Sequence, residues 1–204
     1  ANRQVLHDVG AATDAVEQEL APAWCLPEGK LVHLRNLALD EYERHRLDEN
    51  HNVLAHNTAT VLSDKGPAGG AMREELALVA ITNQYRIMLG RRALAWNDKL
   101  WRSARSHSDW MSRTGTLSHF EDGDPKRADP EARMRAEGYT SGAGENCSVG
   151  CSGAMAAHDG WCHSSGHHRN LLFESHTEMG TGQSGAFWTE NFGGAHEYRG
   201  NLVH

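Results

Sequence analysis

The most regular alternation of apolar and polar positions runs from Arg73 to Leu89, where Leu76, Val79, Ala80, Asn83, Ile87 and Met88 fall on one broad helical face. Gly90 follows, and the spacing predicts a core helix with glycine as its stop. A second helix is expected after Asn97, a good N-cap, with Leu100, Trp101, Ala104, His107, Ser108 and Met111 at three- and four-residue intervals as far as Gly115. A third, short one spans about Asp129 to Glu137, with Pro130 in its first turn and Gly138 ending it. Beyond Tyr139 the pattern changes to short, glycine-rich apolar segments. Those around 145–149, 177–181 and 186–192 read as strands, with a helix over 152–163 between two of them. Helices mixed with a small, mainly antiparallel sheet give an α+β layered fold.

The first seventy residues read differently. Residues 5–20 suit a short amphipathic helix that Pro22 and Pro27 interrupt. A second stretch, 31–62, carries a thin apolar stripe (Leu31, Leu34, Leu37, Tyr42, Leu54 and Val61) diluted by charged and amide side chains. It reads as an appendage rather than a core element. The run Ser63 to Gly70 then combines glycine and proline in a way that disfavours helix and strand alike. The expected organisation is therefore a helical extension over 1–63, a linker over 64–70 and a folded domain over 71–204.

Composition narrows the functions. At 204 residues with 39% hydrophobic content, the chain can bury a genuine core. Its 20 basic and 27 acidic residues leave a formal charge of -7, which gives no electrostatic reason to bind nucleic acid. No run of ~20 apolar residues occurs, so no transmembrane segment is expected. The sequence starts at Ala1 rather than Met, and its first residues carry no information about export. Cys25, Cys147, Cys151 and Cys162 form an even set that would make two disulfides in an oxidising compartment, in one of three pairings.

Candidate chemistry concentrates between residues 118 and 193. Cys147, Cys151, His163 and His167 approach a zinc-finger spacing, yet 136–168 contains no Lys or Arg, which argues against a nucleic-acid finger. His163 and His167 stand four apart without the glutamate that a zinc-protease helix uses as base. Asn146-Cys147-Ser148 matches a glycosylation sequon, but the asparagine is expected to bond internally.

A resemblance gathers these pieces. Asn83-Gln84-Tyr85-Arg86, Leu89-Gly90, Leu94-Ala95-Trp96-Asn97, Ser118-His119, Arg133 to Tyr139 and Gly144-Glu145-Asn146 follow one another in order. Trp161 with Gly166-His167 and Asn170-Leu171-Leu172, then Gly180-Thr181-Gly182, then Trp188 to Gly193 complete the series. Over about residues 75 to 193 the chain resembles the shorter, bacterial-style members of the CAP superfamily, the cysteine-rich secretory, antigen 5 and pathogenesis-related proteins.

The resemblance implies a three-layer α-β-α sandwich whose cleft is lined by a tetrad of histidines and glutamates. His119, Glu145 and His167 match three of those places, while the expected acidic fourth falls on Ser164. It also implies an exported protein, secreted or in the cell envelope, whose cleft takes a lipid, peptide or envelope component. No cofactor is required, although zinc or another divalent ion on His119 and His167, with Glu145, is chemically competent. Two alternatives stay open. One is a metal-assisted peptidase or esterase with Glu145 as base, and the other is a scaffold without an active cleft. The ligand or protein partner and the oligomeric state are left undetermined.

Overall fold

The computed structural model describes residues 49–59 and 73–198. A helix over 49–59 (α1) precedes α2 (Arg73–Met88), β1 (Ala95–Trp96), α3 (Asp98–Thr114), α4 (Pro130–Ala136), β2 (Gly142–Val149), α5 (Ala154–Cys162), α6 (Ser165–Leu172), β3 (Glu178–Ser184) and β4 (Phe187–Gly193). The helix expected over 5–20, its proline breaks, the first part of the 31–62 stretch and the linker lie outside the described residues.

Several elements end where their sequence says they should. Asn97 caps α3 by accepting from the amides of Lys99 and Leu100, and Gly115 closes it in the left-handed conformation at φ 68°. Asp129 caps α4 ahead of Pro130.

The sheet has the order β1-β3-β4-β2, with β1 parallel to β3 and the other pairs antiparallel. Alternation along the strands divides its two faces. Met179, Trp188 and Phe192 join Leu78 and Val79 of α2, Ala157 and Trp161 of α5 and Leu171 of α6 in the main core. On the other face α3 lies directly on glycine. A Cβ added at Gly180 would overlap the backbone of Trp101, and one at Gly182 the backbone of Arg105. The α-β-α sandwich follows, with α2, α5 and α6 on one side and α3 and α4 on the other.

Both edges of the sheet are covered by side chains. On β2, Asn170 Nδ2 donates to Glu145 O at 3.1 Å and Trp161 Nε1 to Cys147 O at 3.2 Å. On β1, Asn57 donates to Leu94 O at 3.0 Å and accepts from Trp96 N at 2.7 Å, while Asn50 accepts from Ala93 N at 2.7 Å. These bonds satisfy backbone groups that would otherwise make an edge sticky. The described part of the extension, α1, thereby packs onto the domain, with Val53 buried among Ile87, Ala93, Ala95 and Tyr198.

The apolar face expected for α2 is rotated. Met88 is half exposed and Ala80 faces solvent, while Glu75, Thr82 and Arg86 are buried. The reason is that polar groups packed against the sheet need partners, and here they find them. Glu75 receives Trp101 Nε1 at 3.0 Å and Arg105 at 2.5 Å, and Arg86 donates to Arg92 O at 2.8 Å and Leu171 O at 2.5 Å.

Candidate functional site

Strand β2 places Glu145 and Cys147 on its α3-facing side and Asn146 on the other. Across the ladder Glu145 pairs with Asn191, Asn146 with Glu190 and Cys147 with Thr189. Glu145 is therefore buried in the layer between sheet and α3, on the edge strand β2.

Its carboxylate is surrounded by donors. Arg133 Nη2 lies 2.9 Å from Oε1 and 2.7 Å from Oε2, and His119 Nδ1 lies 2.9 Å from Oε1. In the orientation that satisfies both ends of its amide, Asn191 donates to Oε2 at 3.0 Å and accepts from Ser103 Oγ and Ala104 N. Burial by itself would raise the Glu145 carboxyl, but the His119 hydrogen bond and the charges of Arg133 and His107 outweigh it and hold the group below the usual carboxylate range.

Arg133 also ties the site to the loop between α3 and α4. It donates to His119 O at 3.1 Å, and its Nε faces Glu121 Oε1 at 3.6 Å. Glu121 in turn receives His107 Nδ1 at 2.8 Å and Arg127 Nε at 3.2 Å. His107 Nε2 donates to Ser118 O at 2.8 Å, which fixes the residue next to His119. The alternating network of two carboxylates, two guanidiniums and two imidazoles sets the position of the His119 loop.

His119 is the exposed end of this network, with 44% of its side chain accessible. Because Nδ1 is committed to Glu145, Nε2 is the ring nitrogen left for other partners. His167 stands in the first turn of α6, half-buried. Burial and the neighbouring charge of His119 both lower its pKa, which favours the neutral ring. Ser164 precedes α6 as an extended residue with no side-chain capping bond, and its carbonyl accepts from His168 N at 2.8 Å. Leu117 and Phe120, 48% and 66% exposed, flank His119 and give this corner an apolar rim.

His119, Glu145 and His167 thus meet at the β2 edge through Glu145 and Asn146, and the groups that hold them do not stand out in the sequence. His107 reads as an ordinary helix-face residue, and Glu121 and Arg127 lie in a loop without a pattern. Arg133 and Asn191 sit inside recognisable motifs, but only burial shows that they converge on Glu145.

His107, Glu145 and Cys147 place three potential ligand atoms within 4.8 Å of one another. Their chemistry does not suit a metal. His107 has an acceptor at each nitrogen, both Glu145 oxygens are already bonded, and burial followed by the Glu145 charge pushes the Cys147 thiol well up. The zinc-finger arrangement does not assemble. Cys147 is buried against Thr189, whereas His163 is exposed and bonded to Asp159 O at 2.8 Å.

Cys147, Cys151 and Cys162 are free thiols, contrary to the disulfides expected among them. Each points to a different polar partner: Cys147 to Glu145 and Thr189, Cys151 to Ser148, and Cys162 to Tyr85. Cys25 lies outside the described residues. Asn146 is fully buried and donates to His167 O at 3.3 Å, so the sequon is internal in the folded chain.

Comparison with known proteins agrees with this architecture. Residues 79–188, more than half of the chain, match the model of the cysteine-rich secretory protein (CAP) family, and the chain belongs to that family. Two Bacillus subtilis proteins are similar over a comparable length. The uncharacterized membrane protein YlbC is 30% identical over 120 residues, covering 58% of this chain and 34% of YlbC. The uncharacterized protein YkwD is 31% identical over 121 residues, covering 58% of this chain and 46% of its own. The match thus spans less than half the length of either relative.

An extracellular SCP-domain protein of Bacillus anthracis superposes with a TM-score of 0.55 at 27% identity, covering 62% of this chain and 45% of that one. An outer surface protein of Borrelia burgdorferi shares the fold, with a TM-score of 0.51 at 16% identity over 61% of this chain and 95% of that one. No helix among the described residues is long and apolar enough to cross a membrane.

Proposed function

We propose that this chain is an exported CAP-domain binding protein whose ligand is held at the β2 edge by His119 and His167, with Ser164 at the rim. One observation carries the reading: both oxygens of Glu145 are consumed by Arg133, His119 and Asn191. A carboxylate so engaged orients an imidazole and is a poor general base, because taking a proton would break the buried pair with Arg133. The metal-assisted hydrolase is therefore the weaker reading.

The exposed Leu117 and Phe120 beside His119 favour an amphiphilic ligand, a lipid or an apolar peptide side chain with a polar head. Export is supported by the extracellular Bacillus anthracis relative. A divalent ion such as zinc fits the pair, with His119 Nε2 and His167 as ligands and Glu145 as the carboxylate behind His119 Nδ1. Such an ion would supply open coordination positions for the ligand's head group.

Zinc itself is the probe. Calorimetric titration of the full chain is expected to show binding that His119→Ala and His167→Ala each abolish and Glu145→Gln weakens by about 10–100-fold. No binding by the wild type, or binding indifferent to both histidine variants, rejects a metal at this edge. Peptidase or esterase turnover that disappears in a folded Glu145→Gln variant would restore the hydrolase reading.

A further inference from the structure

The edge of the sheet opposite the Glu145 network is β1, and among the described residues it is covered by side chains rather than by a strand. Toward β3, Ala95 N donates to Thr177 O at 3.0 Å and Asn97 N to Met179 O at 2.9 Å. Leu94 and Trp96 consequently turn their amides and carbonyls outward. Asn57 of α1 meets two of these groups at once, its Nδ2 donating to Leu94 O at 3.0 Å and its Oδ1 accepting from Trp96 N at 2.7 Å. His56 Nε2 donates to Trp96 O at 3.3 Å. In a parallel ladder, the residue opposite Ala95 would donate to Leu94 O and accept from Trp96 N. The Asn57 side chain therefore reproduces the bonds of one residue of a parallel strand.

The side chains of such a strand would meet two different surfaces. Register pairs Ala95 with Glu178 and Trp96 with Met179, so a residue opposite Ala95 points to the Glu178 face and its neighbours point to the other. On the Glu178 face lies a cleft of about 270 Å³, where Asp98, Glu178 and Glu197 stand against the single ammonium of Lys99, with His56 on its wall. Lys99 is already paired with Glu197 at 2.8 Å, and the cleft keeps an excess of negative charge. On the other face, Leu76, Val79 and Ala80 of α2 and the Trp96 ring line an apolar cleft of about 210 Å³. Asn83 in its wall is committed to Leu94, at 2.7 Å to N and 2.9 Å to O.

The hold of α1 on this edge is mainly polar. Over 49–59, Val53 is the one buried apolar side chain, and Leu54 is 39% exposed. A contact with so little buried apolar surface opens locally at low cost.

We propose that the β1 edge is a strand-addition site for an extended peptide running parallel to β1, with a basic residue opposite Ala95 and apolar residues on either side, and that α1 is its intramolecular cover. Main-chain bonds to Leu94 O, Trp96 N and Trp96 O hold the peptide, while the acidic and apolar clefts select its alternate side chains. Because α1 must leave first, the apparent affinity is reduced by the fraction of chains that are open. The site lies at the far edge of the sheet from His119 and does not depend on the ligand bound there.

The test is fluorescence anisotropy with a labelled, end-blocked peptide alternating valine and lysine, titrated with the full chain. Asn57→Ala removes the amide that fills the edge and is expected to bind the peptide about tenfold more tightly than the wild type. A peptide with glutamate in place of lysine should bind neither protein, and Glu197→Gln added to Asn57→Ala should weaken binding of the lysine peptide. Hydrogen exchange should show the Trp96 amide protected again when Asn57→Ala is loaded with peptide. No binding by Asn57→Ala, an affinity no tighter than that of the wild type, or equal affinity for the glutamate peptide overturns the proposal and leaves α1 as a structural cover. If circular dichroism shows Asn57→Ala unfolded, Val53→Ala, which removes the apolar anchor of α1, decides by the same comparison.

Discussion

One nitrogen of Arg133, Nη2, bridges both oxygens of Glu145 at 2.9 and 2.7 Å, with both side chains sealed from solvent. The pair joins α4 to the edge strand and, through the second bond of Arg133 to His119 O, positions the exposed imidazole. Structure and site therefore share one interaction.

Removing one partner should be costly. Arg133→Met leaves a buried carboxylate without its main counter-charge and is expected to lower stability by about 3–5 kcal/mol, read from chemical denaturation. Arg133→Met combined with Glu145→Leu should recover part of that loss. Equal costs for the double and the summed single variants would show that the two do not interact. Because the folded pKa of Glu145 is depressed, its contribution is present above the unfolded value and disappears as pH falls through the folded one.

Glu190 gives the opposite sign. Burial pushes its carboxyl up to about 8, against the weaker opposing effects of hydrogen bonds from Thr82 and Asn146 and the charge of Arg86. The folded chain holds this proton more tightly, so stability from Glu190 is full below about pH 4.5 and is lost as pH rises to about 8. Glu190→Gln should flatten this part of the stability profile and stabilise the protein at pH 8, by on the order of 1.4 kcal/mol for each pH unit of the window recovered. Thermal melts of the two proteins between pH 5 and pH 8 measure the difference, and parallel profiles would refute the assignment.

His176 is a buried base without a hydrogen-bond partner. Its ring stacks on Phe192 at 4.8 Å, meets Phe173 at 5.0 Å, and has neither nitrogen bonded. Burial and then the charge of Arg86 lower its pKa to about 4. The unfolded chain therefore binds more protons between about pH 4 and 6.5, and stability from this group falls as pH drops through that range. His176→Phe should remove that dependence and be neutral or stabilising by up to about 1–2 kcal/mol at pH 7, since it replaces unpaired polar atoms by an aromatic ring in an aromatic stack. A melting temperature that falls by several degrees would contradict this account.

Gly182→Ala tests the packing of α3 on β3. The added methyl would meet Arg105 N and Ala104 C, which are helix backbone and cannot rotate aside. A loss above about 3 kcal/mol is expected in denaturant titrations. The same change at Gly160, where an added Cβ meets nothing within 4 Å, should cost far less.

Legibility from sequence followed the locality of the signal. The cap Asn97, the start of α4 at Asp129 and Pro130, the stop at Gly115 and the three main strands were readable, because each depends on a few neighbouring residues. Strand β1 is two residues long and α6 is a glycine- and histidine-rich stretch, so neither carries a detectable period. The buried face of α2 was misread for another reason. Glu75, Thr82 and Arg86 count as polar in any pattern, and tertiary partners such as Trp101, Glu190 and the Leu171 carbonyl make their burial favourable.

The amino-acid sequence by itself determined the order of the longer helices and the three main strands, the family and the approximate places of His119, Glu145 and His167. Local conformational preferences and motif order suffice for that. Tertiary structure decided the state of Glu145, because its partners Arg133, His119 and Asn191 come from three different elements and the energy of a buried charge depends on all of them at once. It likewise decided that α1 covers the β1 edge and that Tyr85 meets His158, Cys162 and His168. Neither a period nor a spacing encodes which distant side chains will share one low-dielectric space.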